Sequence, residues 1–344
     1  MSGQGLGHGH GHGHGHEGRG LRSAIGSVFR PHSHDAADSV DSELEASTEG
    51  VRALKISLVV LGLTAVAQLV VVLFTGSTAL LADTIHNFSD ALTAVPLWIA
   101  FVVGRRAATR RYPYGFGRAE DLAGVFIVLM IALSAVVAGY ESIRRLVEPQ
   151  PIQNPYVVLA AGLIGFAGNE VVAVYRIRVG RKIGSAALVA DGLHARTDGF
   201  TSLAVVLAAL GVLAGFPLAD PIVGLLITGA ILVVLKGAAV SIYRRLMDAV
   251  EPELLDSAEA ALRAVRGVRE VAVVRLRWTG HRLRAEASIS ADPGLDLVAG
   301  HLIAVEAEHA LLHAVPRLLD ATVHVSPVGE IGAEHHQTLE HHRV

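Results

Sequence analysis

Ala82-Asp83-Thr84-Ile85-His86-Asn87-Phe88-Ser89-Asp90 and Ala190-Asp191-Gly192-Leu193-His194-Ala195-Arg196-Thr197-Asp198 share one pattern, A-D-x-x-H-x-x-x-D, each inside a hydrophobic stretch. On a helix the His and the Asp four residues later share a face at adjacent turns, and the Asp three before the His lies on that same face. An ionisable side chain in a bilayer costs about 2.5 kcal/mol or more, so it faces a cavity or a partner rather than lipid. Two spans carrying the same costly motif are therefore expected to face each other. Together His86, Asp90, His194 and Asp198 offer two imidazoles and two carboxylates, a donor set suited to a tetrahedral divalent ion such as zinc. A lone intramembrane His would be read as a structural hydrogen-bonding group between helices. The repetition turns the reading to metal ligation.

Around the two motifs lie stretches long enough to cross a bilayer, which takes about 20 residues. Ile56–Phe74 and Leu122–Tyr140 carry no charge, and further spans are expected near 77–103, 156–178, 185–213 and 221–243. Six helices place both chain ends on one side. Arg105, Arg106, Arg110, Arg111 and Arg118 fall between spans two and three, and Arg176, Arg178, Arg181 and Lys182 between spans four and five. Arg244 and Arg245 follow span six, whereas the opposite connections hold little more than Arg144 and Arg145. The positive-inside bias puts both termini in the cytoplasm. His86 and Asp90 then lie about 12–18 Å below the outer start of span two, and His194 and Asp198 equally deep from the inner start of span five. One motif thus occurs in opposite orientations in two halves, as in inverted-repeat transporters.

Composition agrees with a membrane protein. Of 344 residues 51% are hydrophobic and 18% charged, with a mean hydropathy of +0.47, which argues against a soluble enzyme. The net charge of −3 offers no cationic field for nucleic acid. With no cysteine, disulfides, thiolate nucleophiles, Fe–S clusters and Cys-type zinc sites are excluded together. Metal or proton chemistry must run on His and carboxylates.

Residues 1–50 read as a disordered, His-rich cytoplasmic segment, because the Gly–His alternation cannot bury a core. Its His8, His10, His12, His14 and His16 alternate with Gly. Purification tags are usually uninterrupted His, so the alternation favours weak metal capture over a tag. His335, His336, His341 and His342 cluster in a flexible tail over 329–344 and are read equally as ligands or filler. No apolar stretch follows a basic start, so a secretory signal is not expected.

Residues 248–328 revert to soluble composition. Leu254–Val265 has helical periodicity, Val271–Trp278 alternates as a strand, and Arg282–Ser290 is a second strand after a turn at Gly280. Leu297–Val315 is amphipathic and Ala321–Val325 closes the domain. The order predicts an α+β cytoplasmic domain with helices on one face of a sheet. Such a thin core gains from dimerisation.

Glu170 and Arg196 are expected to form an intramembrane ion pair, the alternative being that Arg196 snorkels to the cytoplasmic surface. Asp83 and Asp191 read either as groups orienting the His residues or as relay steps for ions. Asn169 reads as a helix-contact residue rather than a cavity-lining one.

In these features the sequence resembles the cation diffusion facilitators, divalent metal–proton antiporters. The resemblance spans about residues 51–328 and rests on the two H-x-x-x-D pairs, the Tyr114-Gly115-Phe116-Gly117-Arg118-Ala119-Glu120 run and the cytoplasmic domain. It implies a transport site at His86, Asp90, His194 and Asp198, of the His/Asp type found in zinc-handling members. It also implies that the six-helix membrane domain is followed by a ferredoxin-like domain that forms a homodimer and often binds regulatory metal. His301 and His324 fall at positions resembling ligands of that second site, and Ser326 stands where some members carry an acidic ligand. An ordinary polar surface is the alternative for both His residues.

A His binds metal only when neutral and a carboxylate only when ionised, so metal entry displaces protons. Opened alternately to each side, such a site would let an inward proton gradient drive metal out. The expectation is therefore efflux of zinc as transported substrate, with protons as counter-ion, across a bacterial inner or plasma membrane. Cobalt, cadmium, nickel, iron or manganese are alternative cargoes. An intramembrane metalloenzyme is a rival, but no H-E-x-x-H occurs and neither repeat sets a Glu beside its His. A metal-gated channel is a third reading.

Overall fold

The computed structural model describes residues 36–75, 94–148, 155–216, 218–329 and 341. His8, His10, His12, His14, His16, Asp83, His86, Asp90, His335, His336 and His342 lie outside these residues.

Helices α1 (Ala36–Thr75), α2 (Ala94–Gly104), α3 (Arg118–Val147), α4 (Pro155–Ile183), α5 (Ala186–Leu213) and α6 (Ala219–Leu246) form the hydrophobic part. Among the described residues five helical stretches are long and apolar enough to span a membrane: Thr48–Val70 within α1, and α3, α4, α5 and α6. The shorter α2 is the described part of the second expected span. Its Leu97 and Phe101 pack with Leu54 of α1, Ile127 and Ile131 of α3, Leu188 of α5 and Ile231 of α6 into one core. Large apolar side chains such as Leu63, Leu73, Leu129, Val136, Leu226 and Val233 stay more than half exposed, as lipid-facing positions must.

Two expectations change. Helix α1 starts at Ala36, inside the segment read as disordered. No Gly or Pro interrupts 36–49, so no residue of this stretch breaks a helix. The end of this extension is tied down: Lys182 Nζ lies 2.6 Å from Glu49 Oε1, and Arg105 donates to Thr48 Oγ1 at 2.9 Å. Arg176, Arg178, Arg181 and Lys182 lie within α4 rather than in a connection. Arg176 is 1% exposed, so it belongs to the helix interior and drops out of the positive-inside count.

Helix α4 packs along α5 more extensively than any other described helix pair. Glycines permit the approach: a Cβ on Gly192 would stand 2.9 Å from Ile177 N, and one on Gly180 2.8 Å from Val189 N. Ser185 starts α5 by accepting from Leu188 N at 3.0 Å, satisfying a donor the helix end leaves open.

After α6 come α7 (Pro252–Ala264), β1 (Glu270–Thr279), β2 (Arg282–Ala291), α8 (Leu297–Ala314) and β3 (Leu318–Pro327). The sheet order is β1-β2-β3, with β1 antiparallel and β3 parallel to β2. A tight turn joins β1 to β2 with Gly280 at φ +61°, and α8 is the crossover that parallel pairing requires. Leu283, Ala285, Ala287 and Ile289 alternate inward against Leu262 and Leu311, leaving Arg284, Glu286 and Ser288 on the other face. Helix α8 departs from a simple amphipathic pattern. It buries Ala307 and Leu311 but leaves Leu297, Val298 and Leu302 more than 60% exposed, because one sheet face covers only one of its apolar sides.

Candidate metal site on the fifth span

Helix α5 carries the second copy of the repeated motif into the interior: Asp191, His194 and Asp198 are each 3% exposed or less. His194 Nδ1 and Asp198 Oδ1 lie 3.7 Å apart on adjacent turns, near enough for one cation to meet both. The neighbouring hydroxyls turn back on their own helix. Thr197 donates to His194 O and Thr201 to Asp198 O, each at 2.7 Å. Their protons are committed to the backbone there. The other half, His86 and Asp90, lies outside the described residues.

Two ion pairs join α5 to α4. Arg196 grips Glu170 with both arms, at 2.6 and 3.1 Å, with about a third of each side chain exposed. Arg176 Nη1 stands 2.9 Å from Asp191 Oδ2, and neither side chain is more than 2% exposed. Asp191 thus has a guanidinium for its neighbour. Asn169 is buried against α5, where a Cβ on Gly199 would lie 3.4 Å from its own. Gln68 of α1 is also buried and donates to Ala161 O at 3.3 Å. It is one of few polar residues in the charge-free first span, a signal the sequence reading passed over.

The candidates of the C-terminal domain are not gathered within one chain. His301 and His324 are both exposed, and His324 Nε2 lies 3.1 Å from Ser326 Oγ. Among the described residues, no group of three or more His, Asp or Glu is placed to hold a metal.

A second polar cluster, unforeseen from sequence, joins the two domains. His281 Nδ1 lies 2.9 Å from Glu120 Oε2, and both residues are buried. Gly117 packs against the β1–β2 turn, where a Cβ on Gly280 would meet Gly117 O at 2.8 Å. Arg245 donates to Gly184 O at 2.6 Å and to Gly280 O at 2.8 Å, and its guanidinium lies 3.8 Å from the centre of the Trp278 ring. Arg317 donates to Lys182 O at 2.9 Å. The 114–120 run, which carried the family resemblance, supplies Gly117 to this contact.

Comparison with known proteins gives two family matches: the cation efflux transmembrane domain over residues 54–247 and the cation efflux protein cytoplasmic domain over 250–328. Among curated relatives, the "Probable cation efflux system protein Rv2025c" of Mycobacterium tuberculosis is 61% identical over 321 residues, covering 93% of this chain and 95% of that protein. The "Manganese efflux system protein MneP" of Bacillus subtilis is 25% identical, covering 74% of this chain and 88% of that protein. The "Cation-efflux pump FieF" of Yersinia pestis is 26% identical, covering 77% and 89%.

Proposed function

The chain belongs to the cation efflux family and is an integral membrane transporter of divalent cations, and from that premise we propose that it expels zinc from the cytoplasm in exchange for protons. The observation that carries this reading is the buried His194–Asp198 pair at 3.7 Å on a membrane-spanning helix. Its sequence twin His86–Asp90 would complete a tetrahedral set of two nitrogens and two oxygens. Imidazole nitrogens suit zinc better than they suit manganese, which prefers oxygen donors.

Loading the site needs neutral imidazoles and ionised carboxylates, so metal binding from the cytoplasm releases protons and protonation from outside favours metal release. With an inward proton gradient, alternating exposure of the site moves metal outward. Both termini and the 248–328 domain lie in the cytoplasm of a bacterial inner membrane, and the protein works as a homodimer. Two structural facts support this orientation. The arginine-rich 105–118 connection lies on the same side as the C-terminal domain, tied to it by the Arg118–Asp248 pair. On the opposite side Arg145 is neutralised by Glu141 at 3.1 Å and Asp220 at 3.0 Å. The Gly–His run would capture zinc weakly near the cytoplasmic mouth.

The test is metal flux in proteoliposomes with an imposed proton gradient. Wild type should move zinc uphill, ahead of manganese, while His194→Ala and Asp198→Ala insert normally and lose transport. Wild-type rates in either variant would unseat the site, and purely downhill flux would indicate a channel.

A further inference from the structure

We propose that Arg176 and Asp191 form a fixed, charge-cancelling pair that tunes the metal half-site on α5, so that Asp191 itself is not a ligand of the metal. This rests on the assignment of His194 and Asp198 as metal ligands.

Asp191 precedes His194 by three residues, about 4.5 Å along the helix, on the face the ligands use. That position invites a role as a third carboxylate of the site or as a stepping stone for ions. The structure gives the carboxylate another neighbour. Arg176 of α4 is 2.9 Å away, and both side chains are enclosed at 2% exposure or less. Among the described residues Arg176 Nε and Nη2, and both carboxylate oxygens of Asp191, have no hydrogen-bond partner. Among the described residues, each of these two charges has the other as its ion-pair partner, at 2.9 Å.

The pair is also held where it is. A Cβ on Gly192 would meet Arg176 Cβ at 3.0 Å and Ile177 N at 2.9 Å, so the two backbones are already in contact beside it. About one and a half turns further along, Glu170 and Arg196 tie the same helices again.

A guanidinium this close to a cation site would repel a divalent ion if it stood alone. A lone carboxylate would attract one. An uncancelled unit charge one helical turn away shifts divalent-ion binding by about tenfold or more in a poorly solvated interior. The pair removes both effects and leaves Asp198 as the charge on α5 that the cargo meets.

The experiment measures the half-saturating free zinc for full-length protein in proteoliposomes. Asp191→Asn should raise it about tenfold or more, Arg176→Gln should lower it, and the double variant should return to within about threefold of wild type. Opposite shifts are the signature, since loss of a merely structural contact would move both singles the same way. Shifts of one sign, or a double variant that inserts and melts like wild type yet fails to transport, would overturn the proposal. If a single variant does not fold, the double variant alone decides. His194→Ala serves as the control. If that variant keeps wild-type zinc dependence, the ligand assignment fails; if it loses transport while the paired variants show no opposite shifts, only this inference fails.

Discussion

Arg245→Ala should loosen the C-terminal domain from the adjoining ends of the membrane helices. One guanidinium at the end of α6 holds the α4–α5 connection through Gly184 O and the β1–β2 turn through Gly280 O, and it covers the face of Trp278. A hydrogen bond from a charged donor contributes about 1.5–3 kcal/mol, and a guanidinium over an indole about 0.5–2 kcal/mol. Arg245 is only half-buried, and the His281–Glu120 and Arg317 contacts remain after its removal. The net loss should therefore be about 3 kcal/mol, or roughly a hundredfold shift in the local opening equilibrium. Hydrogen exchange of the protein in lipid nanodiscs reads this directly. Peptides covering 278–283 and 180–186 should exchange faster by up to about a hundredfold, while the β2–β3 ladder around Ala287 and Val323 stays protected. Arg245→Lys should fall near the Ala variant, because an ammonium lacks the planar fork that reaches both carbonyls. Arg244→Ala, at an exposed neighbour, should change little. Turn peptides that exchange alike in wild type and Arg245→Ala would refute the reasoning.

Exchanging an imidazole for a carboxylate with His86→Asp should move preference from zinc toward manganese, measured as competing initial rates; an unchanged ratio would remove His86 from the ligand set. Deleting residues 1–34 should leave the maximal rate intact and raise the zinc needed for half-maximal transport, since capture by a segment that must lose entropy on binding is weak and fast. A collapsed maximal rate would place that segment inside the transport cycle. Gly192→Leu should lower the melting temperature and impair transport, because its Cβ would stand 2.9 Å from Ile177 backbone nitrogen. Melting like wild type would show that the α4–α5 seam has slack.

Much of the architecture is written in local pattern. Span length follows from the match of apolar runs to bilayer thickness; α3, α4 and α6 run past the expected spans at both ends, and α5 begins one residue inside its expected span and ends with it. Strand alternation around a turn glycine located β1 and β2, because residues two apart must share a face. The interior position of His194 and Asp198 was likewise legible, since ionisable residues in an apolar span are too costly to face lipid.

What the sequence by itself determined is the kind of groups that must be hidden, and that one pattern of them occurs twice. Which group neutralises which was decided by tertiary structure. Arg176 reads from sequence as one more cytoplasmic cation, yet α4 turns it inward onto Asp191. Glu120 and His281 are 161 residues apart and meet only because Gly117 and Gly280 let two backbones touch. Periodicity records the face on which a residue lies, whereas the sign and distance of its neighbour depend on how separate helices pack. In a low-dielectric interior that neighbour determines whether a charge is available to a cation or already cancelled.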